Sequence, residues 1–199
     1  MLGLPKATEL NKQLPKNAIY AKFQMNTAER AKIDADISRI TIVNEVSPAK
    51  INIADGEQVK SFFVLLVTLK RKEFEGKAII TISKLIPQNM LLVLECGGGA
   101  KLVVYHTRLM QTDWKRKEEL SIELKGLNMD AVWENIIIQI GGITIEQGNT
   151  LDEQIAVDEQ RMKILKEIDR LTKAAKIEKQ PKKKFELAQK INGLKKELM

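Results

Sequence analysis

SFFVLLVTLKRKEFEGKAIITISKLIPQNMLLVLECGGGAKLVVY, residues 61–105, changes its hydrophobic period several times and so fixes the kind of fold. Phe62-Phe63-Val64-Leu65-Leu66-Val67 is a continuous apolar run bounded by charge, as in a strand covered on both faces. Residues 73–86 switch to helical spacing, with Phe74, Ala78, Ile82 and Leu85 on one side and Pro87 as the stop. Met90 to Glu95 is a second apolar strand. Gly97-Gly98-Gly99 makes a turn, and Leu102 to Tyr105 returns as its hairpin partner.

The flanking segments extend this strand–helix–strand–hairpin unit. Upstream, a short helix is expected from Thr8 to Leu14, stopped by Pro15. A second begins at Asn26, whose side chain caps the turn while Glu29 completes a capping box; Ala28, Ile33, Ile37 and Ile40 give it an apolar face. Arg39 to Ile53 stays open between a strand, from the composition of RITIVNEV, and a continued helix ended by Ser47-Pro48. Downstream, Leu120, Ile122 and Leu124 alternate with polar residues as a half-exposed strand would. Asn128 caps a helix carrying Val132, Ile136, Ile137 and Ile140 that ends at Gly141-Gly142. The fold class is α+β, or α/β: a mixed sheet of about four to five strands packed with helices over residues 1–150.

Residues 151–199 follow a different pattern. Ile164, Ile168, Leu171 and Ala175 step by four, three and four, and after Gln180-Pro181 the same steps recur at Leu187, Ile191, Leu194 and Leu198. Two matched seams around a proline break predict an antiparallel helical hairpin, self-paired, docked on the body, or paired between two chains. From Arg161 onward there are thirteen Lys or Arg against five Asp or Glu, a net of +8. The preceding residues then hold 20 of the 33 basic and 21 of the 26 acidic residues, a net of −1. At about 100° per residue, Lys163, Lys166, Arg170 and Lys173 form a stripe roughly 150° from the first seam. Lys182, Lys183 and Lys184 add a cluster past the break. Cations in such order read as a contact for the phosphates of DNA or RNA.

With 199 residues and 44% apolar content, the chain can bury one core and carry an appendage. Its longest apolar run is far short of the ~20 residues that span a bilayer. The amino-terminal MLGLPKATELNK has no apolar stretch of signal-peptide length, so a cytoplasmic protein without membrane association is expected. Cys96 is the single cysteine, which suits a reducing compartment.

Catalytic readings fare poorly. GGGAK at 97–101 lacks the helix that must follow a phosphate-binding loop. Cys96 and His106, at the turn and on the return strand, lie roughly 15 Å or more apart at ~3.3 Å per residue. A metal-dependent nuclease would draw on Asp55, Glu57 or Glu95, but Gly97 stands where its lysine should follow Glu95. Neither cofactor nor metal is implied. Trp114, beside Lys115-Arg116-Lys117 and with Lys70-Arg71-Lys72 at a strand end, reads as a core cap among solvated charges rather than a stacking platform.

LPKATELNKQLPK at the start, the later KLIPQNMLLVLE, and TDW followed by LSIELKGLNMDAVWENIIIQIGG resemble a bacterial family known as domain of unknown function 4391. The resemblance covers nearly the whole chain. It implies cytoplasmic proteins often encoded beside helicase-like and DNA methyltransferase genes of restriction or phage-defence type. It carries no catalytic residue. The expected function is a non-catalytic accessory subunit of such an assembly, docking on a helicase-like or methyltransferase partner, with the hairpin touching protein or nucleic acid. The alternatives are a metal-dependent nuclease and a homodimer built through the carboxy-terminal helices.

Overall fold

A computed structural model describes residues 2–84 and 87–198. The chain divides after Ile143 into two compact units. In the first, β1 (Glu9–Leu14), β2 (Ile37–Val46), β3 (Phe62–Leu69), β4 (Asn89–Cys96), β5 (Gly99–Tyr105) and β6 (Leu109–Gln111) line up in chain order. A two-residue β7 (Lys115–Arg116) also pairs with β5. Only β3 and β4 run parallel; the remaining neighbours are antiparallel. The unit is α+β, and its described sheet has seven strands instead of four to five. The additional strands are the outer ones, which bury little and so leave little hydrophobic signal.

Helices α1 (Lys16–Lys22), α2 (Thr27–Asp36), α3 (Pro48–Ile51), α4 (Gly76–Ser83) and α5 (Met129–Gly141) complete the unit. The capping box at Asn26 is present in both directions, at 3.0 and 2.9 Å. Asn128 caps α5 by accepting the Ala131 N–H at 2.9 Å, and Gly142 closes that helix in the left-handed region. Cys96 pairs with Gly99, so the β4–β5 turn consists of Gly97 and Gly98, with φ of +56° and +80°. Both residues of this tight turn occupy the half of conformational space where a Cβ is penalised.

Several expectations need correction. Residues Thr8–Leu14 are not a helix: a 3₁₀ turn over Lys6–Thr8 leads into β1, and Pro15 caps α1. Pairing with β2 overrides the helical propensity of ELNKQL. Helix α2 stops at Asp36, so Ile37 and Ile40 belong to β2, and Ala28 is exposed. Phe74 precedes α4, while Leu85 lies outside the described residues. Residues 120–124 form no strand. Leu120 and Ile122 are buried in alternation, but the Gln139 side-chain amide supplies the hydrogen bonds that a neighbouring strand would. It donates to the Glu123 carbonyl at 2.8 Å and accepts the Glu123 N–H at 3.0 Å.

One face of the sheet buries Ile40, Leu65, Val67, Leu92, Leu94 and Val103 beneath helices α1, α2 and α4. Across the other, Trp133 of α5 lies over Phe62, with ring centroids 5.2 Å apart. Polar ties hold the helices in place. The Asp34 carboxylate accepts from Lys16 and from the Tyr20 hydroxyl at 2.7 Å. Burial, aided by this bond, pushes Tyr20 up to about 12, while the Lys16 hydrogen bond, then that of Tyr20, holds Asp34 below the usual carboxylate range.

At the first turn of α5, the Asp130 carboxylate accepts the backbone N–H groups of Val59 (2.7 Å), Glu57 (2.6 Å) and Gln58 (3.1 Å). The Val59 bond foremost, then those of Glu57 and Gln58 with the nearby Lys60 charge, lowers the Asp130 pKa against the opposing effect of desolvation. A carboxylate whose folded pKa is depressed adds stability above its unfolded pKa of ~3.9. That stability is lost as pH falls through the folded value. Urea midpoints measured from about pH 5 to pH 2 should therefore fall less steeply in Asp130→Asn than in wild type. Equal slopes would remove Asp130 from the acid response.

The second unit contains α6 (Leu151–Ile177) and α7 (Pro181–Glu197), packed against each other. Thr150 and Glu153 form a capping box, and the resulting Thr150 backbone bond is the chief cause of a lowered Glu153 pKa. Buried Gln154 gathers the Glu146 N–H, the Asn149 side chain and Asp158. Ala156, Val157 and Ile164 share a groove with Glu197 and Leu198, whereas Glu167 and Leu171 share one with Lys190 and Leu194. The end of α7 thus lies beside the first half of α6, as in an antiparallel hairpin.

Candidate nucleic-acid interface

The eight seam residues line the inside of the hairpin. Leu171 is buried, and Ile164, Ile168, Ala175, Leu187, Ile191, Leu194 and Leu198 are half-buried. The seam is therefore occupied within a single chain. Lys163, Lys166, Arg170 and Lys173 lie on the opposite side of α6, and they and Lys182, Lys183 and Lys184 at the start of α7 are all exposed. Helix α6 has 27 residues and rises about 1.5 Å per residue, so the stripe from Lys163 to Lys173 extends about 15 Å.

The stripe has acids within a helical turn of its cations. Arg170 donates to both oxygens of Glu167, at 2.6 and 2.8 Å, and Lys173 reaches Asp169 at 2.6 Å. The Arg170 bond lowers the Glu167 pKa, and the same contact raises that of Arg170. These acids sit three and four residues from their cations, where helix neighbours meet. Exposed pairs of this kind hold weakly enough for a phosphate to displace them. Lys163, Lys166 and Lys182–Lys184 have no ion pair among the described residues.

The unit boundary also redistributes the charge. The second unit begins at Thr144 and includes Glu146, Asp152, Glu153, Asp158 and Glu159. It holds thirteen basic and ten acidic residues, a net of +3, while the first holds twenty and sixteen, a net of +4. The contrast between a neutral body and a basic appendage gives way to a polarised hairpin. Its base is acidic. Its far end, residues 170–190 around the Gln180-Pro181 turn, carries eight basic residues against Glu178 and Glu186.

In the first unit the Lys70–Lys72 and Lys115–Lys117 clusters gather at the carboxyl ends of β3 and β4, near Trp114. Most of these cations already have partners. Arg71 holds the buried Asp36 at 2.6 Å, Lys70 donates to the Asp34 carbonyl at 2.6 Å, Arg116 pairs with Glu119, and Lys117 meets Glu95 at 2.9 Å. Trp114 packs against the core, with Lys72 at 5.9 Å and Lys101 at 5.1 Å from its ring centroid. It caps the core as its sequence context implies, but the surrounding charges are mainly bonded rather than merely solvated. Lys101 is the residue that the sequence reading passed over. It is buried on β5 among Phe74, Trp114 and Gln111, whose Oε1 accepts from it at 2.8 Å, and desolvation lowers its pKa. The signal was its place two residues before Val103 in a strand that buries both faces.

The proposed nuclease carboxylates do not converge. Asp55 and Glu57 precede β3, whereas Glu95 lies at the far end of the parallel β4, beyond a span of about 20 Å. Among the described residues there is no group of three or more His, Cys, Asp or Glu placed to hold a metal ion. Cys96 opposes Gly99 while His106 follows the other end of β5, so the two remain apart. No helix among the described residues is long and apolar enough to cross a membrane.

The model of one protein family, described as Domain of unknown function (DUF4391), matches residues 2–198. No curated protein and no solved structure matches the chain.

Proposed function

The chain belongs to the DUF4391 family, and we propose that it is a non-catalytic accessory protein whose α6–α7 hairpin holds the phosphate backbone of a nucleic acid. The observation that carries this reading is the far end of the hairpin, where eight cations face two acids and Arg170, Lys173 and Lys182–Lys184 are exposed. Phosphates would replace water and counterions at Lys163, Lys166 and Lys182–Lys184, and would compete with Glu167 and Asp169 for Arg170 and Lys173. Recognition of this kind is electrostatic and independent of sequence. The acidic base of the hairpin, residues 146–159, repels phosphate and so favours contact from Lys163 to the far end. A helicase-like or methyltransferase partner, and a role in a restriction or phage-defence assembly, follow from the family resemblance and complete the proposal.

Binding of labelled DNA and RNA across a salt series tests it. With four to six phosphates engaged, log K should fall against log salt with a slope of roughly −4 to −5. No measurable affinity near ~50 mM salt would leave only a protein-docking role for the hairpin.

A further inference from the structure

Phe185 is the one aromatic side chain among the described residues that is exposed, at 63%. Every other Phe, Tyr and Trp is buried or half-buried. Phe185 lies two residues before Leu187, about 160° around α7 from the seam at ~100° per residue, and so on the solvent side. No ring or cation contact to it occurs among the described residues. Its own face is polar. Lys182 precedes it by one helical turn, while Gln189, Asn192 and Lys196 follow, all exposed.

We infer that the far end of the hairpin takes single-stranded nucleic acid, with an unpaired base stacking on Phe185 while Lys182 and its neighbours hold the adjacent phosphates. This inference rests on the electrostatic reading above and adds the class of ligand. An aromatic ring beside a lysine cluster pairs a stacking surface with backbone charge, the combination that non-specific single-strand binders use. Paired bases are already stacked on both faces, so a duplex gives such a ring nothing to cover without being unstacked. A lipid surface fits less well. Interfacial helices bury a broad apolar face, whereas this face of α7 carries one large apolar side chain among Lys182, Gln189 and Asn192.

The test compares full-length wild type, Phe185→Ala and Phe185→Trp against labelled oligothymidine of about 20 nucleotides, a duplex of equal length, and phosphatidylserine vesicles. Phe185→Ala should weaken oligothymidine binding about tenfold or more and leave duplex binding within about twofold. Phe185→Trp should retain single-strand affinity, and its emission should be quenched at saturation. Oligothymidine binding that ignores Phe185→Ala overturns the inference alone, as does an equal loss on single strand and duplex. Vesicle binding that depends on Phe185 while oligothymidine binding does not would assign the ring to lipid and overturn it too. If wild type binds neither polynucleotide near ~50 mM salt, the electrostatic reading fails, and stacking fails with it.

Discussion

Trp133→Ala should destabilise the sheet unit by about 3–5 kcal/mol, the cost of removing a large buried aromatic from a core. Trp133 is 5% exposed and rests on Phe62, which is fully buried at the start of β3. Truncation discards both the buried area and the ring contact, and α5 cannot sink into the space because Met129, Val132, Ile136 and Ile137 already meet the core on the same helix. For a domain of this size the melting temperature should drop by roughly 10–15 °C. The measurement has an internal check, because Trp114 is half-exposed and remains. The blue-shifted part of the emission should vanish while the Trp114 part persists. A drop under about 3 °C would mean that α5 is not seated on β3 through this contact.

Gly126→Ala should cost about 2–5 kcal/mol, because strain and overpacking act together there. Gly126 has φ of +154°, and a Cβ on it would lie 2.6 Å from the Val132 amide nitrogen and 2.8 Å from the Ala131 carbonyl carbon. Those atoms are helix backbone and cannot turn aside as a side-chain end can. The close approach brings Leu127 to Ala54, whose N–H donates to the Leu127 carbonyl, and sets Asp130 over residues 57–59. Chemical denaturation of Gly126→Ala beside Gly98→Ala separates this effect from φ alone, since a Cβ at Gly98 would meet nothing within 4 Å. Gly126→Ala should have the lower midpoint. The reverse order would place the constraint in the hairpin turn instead.

The sequence displayed the centre of the sheet unit and concealed its edges. Strands β3, β4 and β5 bury nearly every side chain, so composition reveals them. Helix α5 announces itself by an asparagine cap, a regular spacing and a glycine stop. Strand β1 is different. Five of its six residues are exposed, and it owes its conformation to hydrogen bonds with β2, more than twenty-five residues away in the chain. Local propensity cannot report such pairing. At residues 120–124 the alternation of burial was legible, but the hydrogen-bond partners are the Gln139 side chain and the Leu2 carbonyl and not a strand.

The candidate interface was legible in its cations and not in what surrounds them. Counting from Arg161 cut α6 in two and assigned its acidic first half to the body, whereas the compact unit begins at Thr144. Considering the lysine stripe alone overlooked Glu167 and Asp169, each within a turn of a cation. Phe185 escaped notice because the leucine and isoleucine seam beside it dominates the apolar pattern.

Since both units carry net positive charge, the decisive measurement locates the contact. The salt dependence of single-strand binding should be compared for Lys182, Lys183 and Lys184→Gln together and for Lys70, Lys72 and Lys115→Gln together. The hairpin variant should lose about three from the magnitude of the log–log slope, one for each phosphate contact removed. The sheet-unit variant should keep the wild-type slope and an affinity within about twofold. A slope lost in the sheet-unit variant and kept in the hairpin variant would contradict the assignment of nucleic-acid contact to the hairpin.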